Sequence, residues 1–317
     1  MLADAELGAA LRLHINARAL AGWAGTNRLS AVAAQLAALE AKPLVPGAAP
    51  LALLVAGAPV PRALLRHMGD AFDELVRRGL VELDGDLASA TLTLAPLGEA
   101  LMACDRLDAP DASDRVCWPD DSSYHLAGAL PPGRRARWLD LATGSGFAPL
   151  ARPELAEAIA GTDGIPRAAR YARLGAALSD RVDQLVVYDA DISEAFPMAW
   201  HGACDLVSCN APIPDGHPYR PRWLSAEHDF VTQAFARAAT MLAPSGIFVV
   251  HAQLRALRAA IADLGGERVV VTYTPVGLPG FAVGWWRPSR PDRLVITRRE
   301  LTVDQPHLTF ADYEAAR

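Results

Sequence analysis

The chain has 317 residues, 51% of them apolar and 21% charged, with a formal net charge of −6. This length suits two domains or one large one, and the apolar share supplies a sizeable core and excludes a disordered chain. The acidic balance argues against a general polyanion binder, and four cysteines (Cys104, Cys117, Cys204, Cys209) with no Cys-x-x-Cys spacing argue against a disulfide scaffold or zinc ribbon and fit a reducing compartment.

The N-terminus carries early acidic residues and no basic lead into an apolar run, so it does not read as a secretion signal. Apolar residues at helical spacing predict helices over 5–23 and 30–41. The most apolar stretch, 49–60, is too short to span a bilayer and is bounded by prolines. No membrane attachment is expected, and the expected location is the cytoplasm. Pro61 stands where a helix can begin, and the pattern over 63–78 runs to a stop at Gly79. Two short strands, 80–83 and 90–94, flank Asp84, Gly85 and Asp86. Helix, helix and hairpin outline a winged-helix-like domain over 1–110. A DNA-binding role and a structural cap or dimer arm both fit that outline. Nine Lys/Arg against twelve Asp/Glu in this segment, with only Arg62, Arg66, Arg77 and Arg78 gathered, disfavour nucleic acid.

A polar, acidic linker covers 108–115, and a second domain is expected over 111–317. Strands are predicted at 137–142, ending at Asp163, and at 184–188, 205–208, 247–251, 268–274 and 293–297. Helices are predicted at 166–178, 225–242 and 252–264. Alternating strands and helices imply an α/β domain, a doubly wound, mostly parallel, seven-stranded Rossmann-like sheet. The last two strands, with no helix between them, are expected to pair as an antiparallel hairpin.

The most informative run is WLDLATGSGFAPL at 138–150. An apolar strand runs into Asp140, then Thr143, Gly144, Ser145 and Gly146. Glycines there let a ligand approach the backbone, at the sheet end where ligands of open α/β folds sit. A tight strand-to-helix turn is the plainer reading. Asp163 closes the next strand on a carboxylate, suited to a ribose diol or to capping the helix before Pro166. The third glycine of a dinucleotide fingerprint is missing, since Pro149 or Phe147 would occupy it, and there is no P-loop. A cofactor with one ribose and no phosphate suits the loop better.

LDLATGSG resembles the first motif of class I S-adenosylmethionine-dependent methyltransferases. GTDGIPRAARYARLGAAL resembles their second, VVYDADISEAF their third and CDLVSCNAPIP their fourth. The resemblance covers roughly 115–300, four motifs in order at family spacing. It implies S-adenosyl-L-methionine as cofactor. Asp140, Gly144 and Gly146 would hold the methionine end, with Ala142 in place of the usual first glycine. Asp163 would bind the ribose, and Asp191 would lie by the adenine with Ile192 against the ring. Asn210 would close the site. The segment PDDSSYHLAGALPP resembles a lead-in of RNA guanine-N2 methyltransferases, which makes Asp121, Ser122 and Ser123 candidate cofactor contacts; a helix N-cap is the alternative.

In the N-methylating branch the fourth motif reads Asn-Pro-Pro-aromatic; here it is Asn210-Ala211-Pro212-Ile213. The resemblance makes the Asn210 side chain and the Pro212 backbone the catalytic pair that presents a nucleophile, nitrogen before oxygen, in line with the methyl. A turn before Pro212 is the plainer reading of Asn210. Losing the aromatic removes a stacking surface for flat bases or amides. Tyr124, His217, Tyr219, Trp223 and Trp285 are candidate substrate contacts, drawn from the lead-in, from 212–223 and from a second wall over 277–290. Core packing is the alternative for the aromatics of that second wall, Phe281, Trp285 and Trp286. His251, at a strand end, reads as a general base or as an ordinary strand-end histidine. No residues share a metal spacing, and no metal is expected.

The expectation is a methyltransferase acting on a small molecule. The alternatives are an RNA or protein N-methyltransferase whose N-terminal domain recognises the macromolecule, and a non-catalytic cofactor-binding regulator. A homodimer is left open.

Overall fold

Residues whose side chains alternate between two apolar layers build the centre of the protein. The computed structural model describes residues 1–40, 42–110, 112–214, 225–226, 229–273 and 280–317. Its main sheet contains β1 (Arg135–Leu141), β2 (Ala156–Asp163), β3 (Leu185–Asp189), β4 (Cys204–Asn210), β5 (Leu242–Gln253), β6 (Glu267–Tyr273), β7 (Phe281–Arg287) and β8 (Arg293–Arg299). Their order across the sheet is β8-β6-β7-β5-β4-β1-β2-β3. Every neighbouring pair is parallel except β5–β7 and β6–β7, so β7 is antiparallel to both its neighbours.

The period of two along each strand sorts the core into two layers. Trp138, Ile159, Leu206, Val249, Val269 and Trp285 face one side; Leu139, Ala160, Val207, Phe248, Val270 and Trp286 face the other. The first layer is covered by α1 (Asp121–Ala129), α2 (Phe147–Ala151), α3 (Pro166–Leu178) and α6 (Phe310–Ala316), together with the N-terminal segment. The second is covered by α4 (Phe230–Met241) and α5 (Leu254–Ile261). Helices on both faces make the sheet doubly wound, as expected from the sequence.

Two details differ from expectation. The sheet has eight strands, one more than the seven expected, and the last two expected strands do not form a hairpin. β6 and β8 are parallel neighbours, because Phe281–Arg287 enters between β5 and β6 as a strand of its own. Of the two readings of the aromatic run in β7, pocket wall and core packing, its burial supports the second.

The N-terminal segment is more broken than its periodicity suggests. Helices Asp4–Arg12 and Ala17–Ala24 replace the one expected over 5–23, because the Asn16 side chain accepts from the Ala19 N–H at 2.9 Å and starts a new helix. The helix expected over 63–78 is a 3-10 turn, Arg62–Met68, followed by Asp70–Arg77, with Gly69 between them at φ +53°. The region of the second short strand divides between two hairpins. Leu87–Ala90 pairs with Val81–Asp84 and with Val60–Pro61, and Thr93–Leu97 pairs with Ala100–Cys104.

This segment shares a core with the sheet: Leu7, Leu11 and Leu101 belong to one buried cluster with Leu150 and Ala172. Polar ties accompany it. Arg12 Nη1 donates to the Leu178 carbonyl at 2.7 Å, and the Leu101 N–H donates to Ser179 Oγ at 2.9 Å. Among the described residues, no helix is long and apolar enough to cross a membrane.

Candidate active site

The carboxyl ends of β1, β2, β3, β4 and β5 converge on the turn that follows β1. Asp140, next to last in β1, pairs across the sheet with Ser208 of β4. Its Oδ1 accepts from Ser208 Oγ and its Oδ2 accepts from Thr143 Oγ1 at 2.7 Å, while Ser208 Oγ itself accepts from Trp138 Nε1 at 2.7 Å. Asp140 is therefore tied to the turn from beneath. Its carboxyl is pushed up to about 6, first by burial and further by the Asp163 charge, against the pull of the two hydroxyls.

The turn is left-handed at three of its positions. Ala142 has φ +50°, Gly144 +56° and Gly146 +76°. The first of these is notable because alanine stands where the resembling motif has glycine. Smallness alone would make that change mild; the backbone conformation makes it strained. The side of Gly144 that a Cβ would occupy is open, with no atom within 4 Å.

Asp163 closes the turn from the next strand. Its Oδ2 accepts from the Gly144 N–H at 2.8 Å and its Oδ1 accepts from the Ile165 N–H at 2.9 Å. The second bond closes the turn before α3, whose N-cap position is Ile165 and not Asp163, so Asp163 is not the helix cap that the alternative reading made it; each oxygen keeps a lone pair for a further donor. Burial raises its carboxyl above the ordinary range, and the neighbouring Asp189 and Asp191 charges add to this. Asp191 lies beside the turn that follows β2: a Cβ on Gly164 would stand 3.0 Å from its Oδ2. Asp191 Oδ1 accepts from the Ser193 N–H at 2.9 Å and Oγ at 2.7 Å, and those bonds hold its carboxyl below the usual range. Ile192 is buried against Leu139, Leu141 and Phe196.

Asn210 ends β4 and is paired in register with His251 of β5. Asn210 Nδ2 donates to Ser122 Oγ at 2.8 Å, and Oδ1 lies 3.0 Å from His251 Nδ1. His251 Nε2 lies 2.6 Å from the Tyr273 hydroxyl. Ser122 and Ser123 open α1, and Asp120 caps it by accepting from the Ser122 N–H at 2.9 Å. The helix-cap reading of this segment is the one seen, with Asp120 as the cap, and the capped end also reaches Asn210 through Ser122. Pro212 and Ile213 are half-buried just beyond, and the Ala211 N–H donates to the His251 carbonyl at 2.9 Å.

A ring cluster backs this corner. His251 stacks on Phe281 at 5.7 Å, His125 lies over Tyr273 at 3.9 Å, and Tyr124 stacks on His307 at 5.2 Å. Burial drives His251 down to about 3, with His125 beside it adding to the shift. Burial likewise drives His125 down to about 3, and raises the Tyr273 phenol. All three are neutral at pH 7, so His251 is an enclosed, hydrogen-bonded ring and not an exposed base.

The structure brings together Asp140, Ala142, Gly144, Gly146, Asp163, Asp191 and Ile192 around the turn, and Ser122, Asn210 and His251 beside it. Tyr124 is half-buried at the edge of the ring cluster, its hydroxyl accepting from the Leu29 N–H at 2.7 Å. Trp285 is placed elsewhere. It is 1% exposed, its Nε1 donates to the Ala129 carbonyl at 2.9 Å, and its ring packs on Tyr313, so it fills the core as the alternative reading had it. Trp286 is buried on the opposite layer. His217, Tyr219, Arg220, Arg222, Trp223 and His228 lie outside the described residues, as does the 277–279 part of the second wall. Sequence reasoning missed Tyr273 and His307, and Asp120 as the cap. Tyr273 was legible only as the end of a strand; its meeting with His251 depends on β7 entering between their two strands.

No family profile matches the chain, and no curated protein matches it. Solved structures do share its shape in part. A protein from Agrobacterium tumefaciens described as a predicted O-methyltransferase is 18% identical over 57% of this chain and 85% of its own, with a TM-score of 0.43. The T. thermophilus 16S rRNA N2 methyltransferase RsmC, in complex with AdoMet and guanosine, is 21% identical over 64% of this chain and 46% of its own, with a TM-score of 0.45. The catalytic domain of hMettl16, in complex with an RNA hairpin of the MAT2A 3'UTR, is 15% identical over 51% of this chain and 67% of its own, with a TM-score of 0.41. This chain thus spans under half the length of the RsmC structure it matches.

Proposed function

We propose that this chain is an S-adenosylmethionine-dependent methyltransferase acting on a nitrogen of a small molecule. The observation that carries the reading is the charge around the open turn. Asp140, Asp163, Asp189 and Asp191 stand at the ends of three adjacent strands, with Asp163 feeling the charges of the last two. Four carboxylates repel a phosphate and welcome donors: a ribose diol, an amino group, a cationic centre. The turn keeps the shape of a nucleotide-binding loop while its surroundings select against a pyrophosphate. The residues fit the cofactor named by the four motifs.

In this reading Asp163 accepts the ribose hydroxyls on its remaining lone pairs, and Asp191 and Ile192 border the adenine. Open space beside Gly144 admits the amino-acid end. When bound, the cofactor supplies an electrophilic methyl on a sulfonium that is already a good leaving group, so positioning is the main task of the protein. Asn210 Oδ1 and the Pro212 carbonyl accept hydrogen bonds from the attacking group and aim its lone pair. Ile213 in place of the family aromatic, and the acidic chain, favour a small acceptor over RNA. Residues 1–110 would then act as a winged-helix-like cap on the sheet.

Incubation with methyl-labelled cofactor and a cell extract, followed by size fractionation, tests this. Label in small metabolites is the expected result. Label in RNA or protein would replace the small-molecule reading, and no label despite cofactor binding would make the chain a regulator.

A further inference from the structure

The hydrogen bonds behind Asn210 form a chain whose direction is fixed from one end. The Asp120 carboxylate accepts from Ser122 Oγ, which spends its only hydrogen there. Ser122 Oγ must then accept, and it does so from Asn210 Nδ2 at 2.8 Å. This sets the amide with its oxygen toward His251, where Nδ1 at 3.0 Å must be the protonated nitrogen. The lone pair left on Nε2 accepts a hydrogen bond from the Tyr273 hydroxyl at 2.6 Å. The two rings cannot drift, because His251 stacks on Phe281 and Tyr273 is clamped by His125. Both are buried.

We propose that His251 and Tyr273 are positioning residues that hold the Asn210 amide in one of its two orientations, so that its carbonyl, not its amino group, meets the methyl acceptor. The inference rests on the reading of Asn210 as the group that presents the acceptor. A side-chain amide held at one end only would turn over at small cost, because oxygen and nitrogen are nearly alike in shape. Turned over, Asn210 would point N–H hydrogens at the acceptor's own hydrogens. Ser122 holds the amino end only while its hydrogen stays on the exposed Asp120 carboxylate; turned away from it, the hydroxyl would donate equally well to an inverted amide. The imidazole can, provided its proton stays on Nδ1, and Tyr273 keeps it there by donating to Nε2.

The test uses the full-length protein, its labelled acceptor fraction and S-adenosylhomocysteine. Nitrogen-15 spectra should show His251 neutral with its proton on Nδ1, and Tyr273→Phe should weaken that preference. His251→Leu should lower the rate of label transfer at saturating cofactor by about tenfold or more, the scale of a misplaced reacting group, with S-adenosylhomocysteine affinity unchanged within about twofold. His251→Asn, which restores a donor at the Nδ1 position, should recover most of the rate; a purely structural loss of a buried ring would show no such recovery. A proton on Nε2, parent-like transfer by His251→Leu, or His251→Asn no better than His251→Leu would overturn the proposal. A parent protein that binds S-adenosylhomocysteine but labels no acceptor would overturn the methyltransferase reading and this role together. A labelled acceptor with the wrong tautomer overturns this role alone.

Discussion

Asp163 shows how much one side chain carries. It ties the turn after β1 to the start of α3 through two main-chain bonds, and in the proposed site it also holds the ribose. Asp163→Ala should weaken S-adenosylhomocysteine binding by about 1–3 kcal/mol in calorimetry, the scale of hydrogen bonds to a charged group. Parent-like binding by a folded variant would remove Asp163 from the site. Ala142 makes the opposite kind of prediction. At φ +50° an L-residue is strained by roughly 1–2 kcal/mol, offset in part by the extra freedom that glycine has when unfolded. Ala142→Gly should therefore raise stability by about 0.5–1 kcal/mol in urea titration, and a loss would mean the turn relies on the methyl. The sequence displayed Asp140, Asp163, Asn210 and the glycines plainly, because a strand end followed by a glycine turn is a local signal. It did not display the strain at Ala142, which depends on a backbone angle, nor the Asn210–His251–Tyr273 chain, which joins residues from three strands.

At the scale of elements, parallel strands separated by helices were readable from period and spacing, and Pro166–Leu178 fell where its pattern put it. β7 escaped because its aromatics, which the sequence leaves open between a pocket wall and core packing, are buried on both faces of a central strand, where alternation disappears. The breaks in the N-terminal helices escaped for a related reason, since a side-chain cap at Asn16 or a turn at Gly69 interrupts a helix without interrupting its apolar period. The docking of Asp4–Arg12 on α3 depends on a close approach at Gly8, where a Cβ would fall 1.7 Å from the Leu178 carbonyl oxygen. Backbone cannot yield as a flexible side chain can. Gly8→Ala should destabilise the protein by about 1–3 kcal/mol, the range of an overpacked contact, measured as a shift in the urea midpoint. An unchanged midpoint would mean the helix is free to lift.

For the whole molecule, the buried rings set an acid limit on stability. His125 and His251 are held neutral down to about 3, while the unfolded chain would protonate them below about 6.5. The unfolded state therefore binds more protons between those values, and stability falls as pH drops from 6.5, by up to about 1.4 kcal/mol per pH unit for each ring. Asp140 works in the other direction. Raised to about 6, its carboxyl favours the folded state at low pH, and that contribution disappears as pH rises from about 4 through 6. Asp163, also raised, acts in the same sense as Asp140, but the unfolded chain begins to protonate its histidines at the higher pH, so thermal midpoints should decline as pH falls from 6.5 towards 6. His251→Leu should flatten that decline even where it lowers the midpoint at pH 7, and an unchanged slope would mean the ring is charged in the fold.

The claim on which the account turns is that the carboxylate-ringed turn after β1 takes a phosphate-free amino-acid nucleoside and rejects a pyrophosphate. Calorimetric titration of the full chain with S-adenosylhomocysteine, and separately with a nicotinamide dinucleotide, tests it most directly. The account predicts saturable binding of the first, weakened by Asp163→Ala, and none of the second. Dinucleotide binding at the turn with no heat from S-adenosylhomocysteine would contradict it.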